Sequence, residues 1–318
     1  MAGPAPGMPG MPPSPPFHTS FNGYAVAFSP FLERRLAVAT SQNFGIIGNG
    51  KQYVLDILPD GRLAEAACFD TADGLYDCCW AEDNEHVLVS ASGDGSVKVW
   101  DLSAPPQMNP LRSFEGHTHE VYSVAWNLAR RDCFVSASWD DTVKLWSLGG
   151  GAPGGGAVRT FAEHTYCVYC AAWNPASADV FATASGDCTC KVWDTRLPHS
   201  AMTVAGHDFE VLSCDWNKYN DCVVATAGVD KAVKMWDIRA PQREMCVLAG
   251  HGYAVRRVKC SPHSATTVLS CSYDMSVVQW DYARQEAPLV NRWDHHTEFA
   301  VGIDLSVHRE GLAASAGW

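Results

Sequence analysis

The sequence predicts an all-β fold, a β-propeller of seven blades, from three features that recur at one spacing. First, five segments end in a similar motif, in which an aspartate precedes a tryptophan by six residues. Second, a histidine stands 23 residues before four of these aspartates. Third, a short stretch of alternating residues follows each histidine and ends, in three of the four cases, in a tryptophan. A repeat of about 40–45 residues with several short strands is typical of propeller blades.

The motifs read SGDGSVKVWD, SWDDTVKLWS, SGDCTCKVWD, GVDKAVKMWD and SYDMSVVQWD. Their aspartate and tryptophan pairs are Asp94 and Trp100, Asp140 and Trp146, Asp187 and Trp193, Asp230 and Trp236, and Asp274 and Trp280. The histidines are His117, His164, His207 and His251, and the residues nine positions later are Trp126, Trp173, Trp216 and Cys260. Successive aspartates lie 46, 47, 43 and 44 residues apart, so the repeat runs through the chain without slipping.

The same spacing extends the repeat toward the N-terminus. Trp80 lies 14 residues before Asp94, which gives a repeat with Thr71 in the histidine position. Phe28 lies 14 residues before Gln42, which gives a degenerate first repeat.

Toward the C-terminus, His296 places Leu305 nine residues later and would place an aspartate at 319, one position beyond the last residue. The total is seven repeats, and the last blade is truncated at the chain end. We expect the natural chain to continue for at least one more strand, because an open sheet edge is unfavourable. Residues 17–21 are a candidate for the outer strand of this last blade.

The domain organisation follows from these repeats. Residues 1–16, MAGPAPGMPGMPPSPP, are predicted to be a disordered tail rich in proline and glycine, and residues 17–318 form the propeller. The tail lacks the basic start and apolar centre of a secretory signal peptide. No stretch is apolar for long enough to span a bilayer, so direct membrane insertion is not expected.

Charge and cysteine usage narrow the classes of partner. The chain has 23 basic and 35 acidic residues, a net charge of −12, which argues against nucleic-acid binding and favours cationic partners. The 13 cysteines have no secretory context, so we expect reduced, buried thiols. Cys188 and Cys190 would share a strand face, but no second pair stands at zinc-ligand spacing. We therefore predict no metal and no cofactor.

The motifs resemble those of WD40-repeat proteins, and the resemblance covers residues 17–318. It implies that the histidine, the aspartate and the tryptophan of each repeat join a serine or threonine in a hydrogen-bonded network that holds the blade together. A histidine and an aspartate could also suggest a catalytic pair. A buried imidazole and carboxylate are costly unless they are paired, so we interpret these residues as structural and expect no enzymatic activity.

The resemblance also indicates which face is used for binding. In WD40 propellers the loop with the histidine and the turn with the aspartate open on one face, here called the top. Insertions such as APPQMNP (104–110) and GGGAPGGG (149–156) fall between the third and fourth strands, on the opposite face. The second insertion lacks the GKS or GKT ending of a phosphate-binding loop, so a flexible connector is expected.

Residues three and five positions after each histidine, and those just before each aspartate, should surround the central opening on the top. They are Gly74, Tyr76, Glu120, Tyr122, Trp139, Cys167, Tyr169, Glu210, Leu212, Ala254, Arg256, Tyr273 and Phe299, with Asp73 and Asp77 beside the second repeat. Alternation along VYSVAW places Tyr122 and Val124 on one strand face and Val121 and Ala125 on the other. A ring of aromatic residues suggests a binding site. The alternative is that these tyrosines only pack and the acids are solvated.

Several longer segments resemble a particular family within the WD40 proteins. GLYDCCWAEDNEHVLVSASGDGSVKVWD, SASWDDTVKLW, EVLSCDWNKYN, GYAVRRVKCSPH and DHHTEF are similar to segments of the receptors for the type 2 peroxisomal targeting signal, the peroxin 7 family. The resemblance runs from about residue 23 to 318. It implies a cytosolic receptor that captures enzymes with an N-terminal signal and cycles to the peroxisome matrix. It implies two kinds of partner, the cargo proteins and a co-receptor peroxin.

That family's signal is Arg-Leu, five residues, then His/Gln-Leu. On a helix, residues seven apart return to nearly the same face, so the signal presents a cation, a polar group and two leucines in one stripe. A receptor for it needs carboxylates beside an aromatic or apolar wall. The predicted binding residues are Asp73, Tyr76, Asp77, Glu120, Tyr122, Trp139, Tyr169 and Glu210.

A rival hypothesis is a substrate adaptor of a ubiquitin ligase or a chromatin scaffold. WDTR (193–196) and WDIR (236–239) match the WDxR motif through which such adaptors engage their ligase. Arginine after a WD dipeptide is also common for structural reasons. The N-terminal helix of histone-binding WD40 proteins is not expected here, because residues 1–16 are rich in proline.

Overall fold

The computed structural model describes residues 15–45, 48–149 and 156–318. The predicted disordered tail therefore lies outside the described residues except for its last two positions. The predicted flexible connector at 149–156 lies outside them except for its two end residues.

The described residues form 26 strands in seven antiparallel sheets, six of four strands and one of two. Blades 1 to 3 contain β1 (Asn22–Phe28), β2 (Arg35–Ser41), β3 (Gly50–Ile57), β4 (Leu63–Thr71), β5 (Leu75–Trp80), β6 (Val87–Ser92), β7 (Ser96–Asp101), β8 (Arg112–Glu115), β9 (Val121–Trp126), β10 (Cys133–Ser138), β11 (Val143–Ser147) and β12 (Arg159–Phe161). Blades 4 to 6 contain β13 (Val168–Trp173), β14 (Val180–Ser185), β15 (Cys190–Asp194), β16 (Ser200–Val204), β17 (Val211–Trp216), β18 (Val223–Gly228), β19 (Ala232–Asp237), β20 (Cys246–Ala249), β21 (Val255–Cys260), β22 (Thr267–Ser272), β23 (Val277–Asp281) and β24 (Leu289–Trp293). The two-stranded sheet contains β25 (Ala300–Leu305) and β26 (Ala313–Gly317).

The first strand of every sheet faces the centre of the molecule. Each of these inner strands lies beside the inner strand of the next sheet, and β25 lies between β21 and β1, which closes the ring. The prediction of an all-β propeller is confirmed. Six blades are complete, whereas a complete seventh blade is not confirmed, because the described residues give it only β25 and β26.

The N-terminal stretch before β1 differs from the prediction. Residues 17–21 form no strand. Instead the Phe17 ring packs edge-on against Tyr53, with centroids 6.4 Å apart, at the edge of the core cluster that β26 also packs against. The Ser20 amide donates to the Tyr53 hydroxyl at 3.2 Å. In a four-strand blade the outer strand pairs with the third strand. Within the described residues the last sheet contains only β25 and β26, so residues 17–21 have no third strand to pair with.

Tight turns join the second and third strands of blades 2 to 6, and the aspartate of each motif shapes them. In blade 3, the Asp140 Oδ1 accepts the amide of Thr142 at 3.0 Å, and Asp141 between them has a φ of 64°. Short polar side chains favour such turns because they bond to the backbone two residues ahead. The same positive φ occurs after the other four aspartates, at Gly95, Cys188, Lys231 and Met275.

Large apolar side chains fill the space between neighbouring blades. The tryptophans of the third strands are fully buried, and these are Trp100, Trp146, Trp193, Trp236 and Trp280. These tryptophans contact the neighbouring blade. The ring centroid of Phe114 on β8, for example, lies 5.4 Å from that of Trp146 on β11. No helix in the described part of the chain is long and apolar enough to cross a membrane.

Candidate binding site on the top face

The histidine, aspartate and tryptophan of each motif meet in blades 3 to 6. In blade 5, His207 Nδ1 lies 2.8 Å from Asp230 Oδ2, and His207 Nε2 lies 2.7 Å from Thr226 Oγ1. The Trp236 indole N–H donates to the same hydroxyl at 2.7 Å. Equivalent bonds join His117 with Asp140, His164 with Asp187 and His251 with Asp274, at 2.7–3.0 Å. Both ring nitrogens are used, so these histidines have no lone pair to offer a substrate.

The electrostatics of this network follow from its burial. Burial alone would raise the pKa of the Asp230 carboxyl, but hydrogen bonding and charge attraction from His207 bring it down to about 2. The pKa of Asp274 falls to about 2 in the same way, with hydrogen bonds from Ser276 and Gly252. Burial lowers the pKa of His117 and of His251, despite the neighbouring carboxylates. In blades 3 and 6 these shifts favour a neutral imidazole against an ionised carboxylate.

Blade 2 has a different pairing because Thr71 occupies the histidine position. Lys98, on β7, points back along its strand, and its Nζ lies 2.6 Å from Asp94 Oδ2 and 2.8 Å from Ser96 Oγ. The ammonium thus replaces the imidazole as the partner of the aspartate. Sequence reasoning missed Lys98. A lysine four residues after an aspartate that lacks its histidine is the signal that points to it.

A β-bulge occurs at the same position in all seven inner strands. In β9, Val121 pairs with Ser138 and Ser123 pairs with Ala137, so Tyr122 between them has no partner. The other inner strands skip one residue at the equivalent place. A bulge re-aims the side chain of the extra residue. The bulged residues are Tyr24, Tyr76, Tyr122, Tyr169, Leu212, Arg256 and Val301.

Because of this bulge, the side chains of β9 do not alternate as the sequence predicted. Val121 and Val124 both pack in the core between blades 2 and 3, three residues apart, because the bulge at Tyr122 shifts the alternation by one. Tyr122 therefore does not share a face with Val124.

The aromatic side chains of the top face form one continuous arc. Tyr122 is stacked between Tyr76 and Trp139, with centroids 4.7 and 4.8 Å away. Tyr169 lies edge-on to Tyr122 at 5.9 Å, and Tyr24 lies edge-on to Tyr76 at 5.2 Å. The arc continues from Tyr24 through Trp318 and Phe299 to Tyr273. The structure thus brings together the four aromatic residues predicted to bind the signal and the two others predicted for the top opening, Tyr273 and Phe299, and it adds Tyr24 and Trp318.

Burial governs the ionisation of these tyrosines. Burial raises the pKa of Tyr122 to about 12, with Arg256 lowering it and Glu120 raising it. The pKa values of Tyr24, Tyr76 and Tyr169 are also raised, first by burial and then by neighbouring tyrosines or acids. The phenols are neutral at physiological pH and provide a wall of rings with hydroxyl groups.

Sequence reasoning missed Tyr24 and Trp318 as members of this arc. Tyr24 lies four residues before Phe28, just as Tyr76 lies four before Trp80. Trp318 lies just before position 319, where the spacing places an aspartate, so it is equivalent to Trp139. Its amide donates to the Phe299 carbonyl, as the Trp139 amide donates to the Glu120 carbonyl. The same spacing that located the other residues would have found both.

Three of the four predicted acids lie on this face. Glu120 and Glu210 are half-buried and occupy equivalent positions in blades 3 and 5, where each backbone carbonyl accepts the amide of the residue before the blade's aspartate. Asp73 is half-buried, and its Oδ1 accepts the Gly74 amide at 2.7 Å. Within the described ranges, no basic side chain lies within 4.0 Å of these carboxylates. They can accept a cation from a ligand.

The structure places the fourth predicted acid elsewhere. Asp77 is only 4% exposed and forms an ion pair with Arg257, with Oδ1 and Nη1 2.8 Å apart. Its Oδ2 accepts the Val124 amide of blade 3 at 3.1 Å. Asp77 follows the bulged Tyr76, so its side chain turns into the centre of the ring instead of toward the surface. This carboxylate already has its cation in Arg257, so Asp77 is not among the proposed binding residues.

The cysteines and the possible metal ligands offer no further site in the described residues. All 13 cysteines are free thiols. No group of three or more histidine, cysteine or acidic side chains in the described residues could hold a metal ion.

The WDxR arginines lie on the opposite face. Arg196 and Arg239 are exposed, with 69% and 67% of their side chains accessible. Each forms a bidentate pair with the aspartate of its own WD dipeptide, Asp194 or Asp237, at 2.6–2.9 Å. They thus pair within their own blade.

One protein family and several individual proteins match this sequence. The family described as "WD domain, G-beta repeat" matches residues 64–101, 108–147, 155–194, 199–237 and 242–281. The "Peroxisomal targeting signal 2 receptor" of Dictyostelium discoideum is 60% identical over 295 residues, 93% of this chain and 92% of that protein. The "Peroxisome biogenesis protein 7" of Arabidopsis thaliana is 59% identical over 303 residues, 95% and 94% of the two chains.

A more distant relative has the same name. The "Peroxisomal targeting signal 2 receptor" of Mus musculus is 43% identical over 297 residues, 93% of this chain and 91% of that protein. The matched blades and the match over nearly the whole of each relative agree with the resemblance that the motifs indicated. The chain is a WD40-repeat protein and belongs to the family of peroxisomal targeting signal 2 receptors.

Proposed function

We propose that this chain is an import receptor that binds the N-terminal type 2 peroxisomal targeting signal of matrix enzymes on its top face. The observation that carries the proposal is the arc of aromatic side chains bordered by three carboxylates without a basic partner. It acts by binding and not by catalysis. It delivers its cargo together with a co-receptor peroxin, and cycles between the cytoplasm and the peroxisome matrix.

The chemistry of the signal suits this face. The signal's arginine needs a carboxylate, and Glu120, Glu210 and Asp73 offer three. The pair would be partly buried among the rings, where a charge-assisted hydrogen bond is stronger than in water. The signal's leucines need an apolar wall, which Tyr76, Tyr122, Trp139 and Tyr169 provide.

The direct test is binding of a fluorescent peptide that carries the signal, measured by fluorescence anisotropy with the purified chain. The matched control peptide has the signal's arginine changed to glutamate. We expect the parent peptide to bind at least about tenfold more tightly, a difference of about 1.4 kcal/mol. Equal affinity for the two peptides would contradict the proposal.

The exposure of Arg196 and Arg239 favours the second candidate, a ubiquitin-ligase substrate adaptor. Both arginines already pair with their own aspartates, so these exposed ion pairs would have to open before a partner could bind, and opening a solvent-exposed ion pair costs little. A pulldown from cytosol distinguishes the two functions. Recovery of the ligase linker protein without any cargo that bears the signal would favour the adaptor.

A further inference from the structure

Two consecutive arginines of blade 6 reach across the central opening of the ring. Arg256 is the bulged residue of β21, and its guanidinium carbon lies 5.3 Å from the ring centroid of Tyr122 in blade 3. Arg257, the next residue, bonds to Asp77 in blade 2. Blades 2 and 3 are not neighbours of blade 6 in the ring. Both side chains therefore extend over or into the opening, Arg256 on the side of the aromatic arc.

The two arginines differ in their partners. Arg257 has a carboxylate, Asp77, at 2.8 Å. Arg256 is only 4% exposed, yet no carboxylate oxygen of the described chain lies within 4.0 Å of its guanidinium. Buried charges in proteins are usually paired, because removal from water is costly. Contact with aromatic rings offsets part of this cost.

The groups that face Arg256 are phenols. Its charge lowers the pKa of Tyr122, Tyr24 and Tyr273, in each case against a larger increase from burial, and Tyr273 also shares a hydrogen bond with it. Glu120 acts on Tyr122 in the opposite sense, so both charges are close to this ring without forming a pair.

Near the same ring, another donor lacks an acceptor altogether. The indole N–H of Trp139 is buried and has no hydrogen-bond partner in the described structure. Trp139 is the residue stacked on Tyr122. One tyrosine is thus bordered by a guanidinium without a carboxylate partner and by an indole N–H without an acceptor. An unmatched buried donor favours the binding of an acceptor from outside the chain.

We propose that Arg256 forms a carboxylate-binding subsite in the floor of the top face. The group that fits is a glutamate or aspartate side chain of the bound segment, because a guanidinium binds a carboxylate through two parallel hydrogen bonds. This inference rests on the proposed function in one respect, that the bound segment is the targeting signal. The site is then bipolar, with the signal's arginine at Glu120, Glu210 and Asp73, and an acidic residue at Arg256.

The first experiment tests the subsite without any signal peptide. The probe is N-acetylglutamate, and the control is N-acetylglutamine, which has the same shape without the charge. NMR of the chain labelled at arginine Nε follows the Arg256 signal, which is identified by its loss in Arg256→Gln and in Arg256→Lys. We expect a saturable shift with N-acetylglutamate only. No shift, or equal shifts with both compounds, would overturn the proposal whatever the signal does.

The second experiment places a glutamate three, four or seven residues after the signal's arginine, on the helix face that meets the receptor, against a glutamine at the same position. We expect one of these glutamates to tighten binding by about fivefold or more, and we expect this gain to vanish in Arg256→Gln. Arg256→Lys should retain part of it. If the same gain persists in Arg256→Gln, the carboxylate binds elsewhere and the proposal is wrong. If no peptide shows dependence on its arginine, the proposed function fails while the N-acetylglutamate result stands.

Discussion

In each complete motif, both ring nitrogens of the histidine have a hydrogen-bond partner. His207 meets Asp230 with one ring nitrogen and Thr226 with the other, and it is buried. Trp236 donates to the same threonine, so four residues from four positions of one blade depend on each other. Removal of one member leaves buried partners unsatisfied, which costs more than the bond itself contributes.

We expect His207→Ala to destabilise the protein by roughly 1–3 kcal/mol, because Asp230 and Thr226 then lose a buried partner. Urea unfolding followed by tryptophan fluorescence measures this loss. Affinity for the signal should decrease only as far as the folded fraction does. A variant of unchanged stability that no longer binds would instead show that His207 contacts the ligand.

The spacing of the repeats predicted which residues lie at equivalent positions, but it did not predict every hydrogen-bond and ion-pair partner. The period placed His207 and Asp230 together, because both recur in each repeat. It did not predict that Arg257 pairs with Asp77, 180 positions away. These two residues meet across the central opening, and neither is part of the repeating motif. Their pairing depends on which charged residues the individual blades happen to carry.

The position of the top-face side chains depends on the bulge in the inner strand of each blade. All seven inner strands carry a bulge at the same position, and four of the bulged residues are tyrosines of the aromatic arc. Counting from the histidine located the position correctly for Tyr76, Tyr122 and Tyr169. Alternation along the strand failed, because an extra residue shifts every later side chain to the other face. A single sequence carries no sign of such a bulge.

The glycine before the histidine marks where the outer strand passes over the next blade's motif. A Cβ on Gly206 would lie 2.1 Å from Cη2 of Trp236, whereas one on Gly116 would lie 3.1 Å from Cη2 of Trp146. We expect Gly206→Ala to destabilise the protein by about 1–3 kcal/mol through overpacking, and Gly116→Ala to cost clearly less.

Thermal unfolding of the two glycine variants, followed by circular dichroism, measures this difference. Equal melting temperatures for Gly206→Ala and Gly116→Ala would show that Trp236 moves aside without cost. That result would contradict the close packing described for blade 5.

The molecule as a whole is a closed ring of seven inner strands that carries six complete blades. The repeat predicted this ring, because its spacing holds from Phe28 to Leu305. The predicted outer strand at residues 17–21 was wrong, since those residues form no strand and instead contact Tyr53 through the Phe17 ring and the Ser20 amide. The role of the top face in signal binding stays a prediction.

Stability should decrease as the pH falls. Asp230 and Asp274 have pKa values near 2 in the folded state, below the ordinary value of 3.8, so their contribution is complete above about pH 4 and is lost as the pH falls toward 2. The pKa values of His117 and His251 are also lowered, so protonation favours the unfolded chain below about pH 6.5.

Urea midpoints at neutral pH, near pH 5 and near pH 3.5 should therefore decrease in that order, most steeply at the last step. The sign follows because the unfolded state binds more protons at each of these sites. A midpoint that rises between neutral pH and pH 5 would mean that the histidines are protonated in the folded blades.

The central claim is that carboxylates beside the aromatic arc recognise the cation of the signal, and a charge exchange tests it most directly. Glu120→Lys should keep the parent melting temperature and lose at least about tenfold in affinity for the parent peptide, a loss of about 1.4 kcal/mol. It should also bind the peptide with arginine changed to glutamate more tightly than the parent protein does. Glu65→Lys, which makes the same charge change at an exposed position of β4, is the control and should alter neither affinity. The account is contradicted if Glu120→Lys binds the parent peptide as well as the parent protein does, or if Glu65→Lys weakens binding equally.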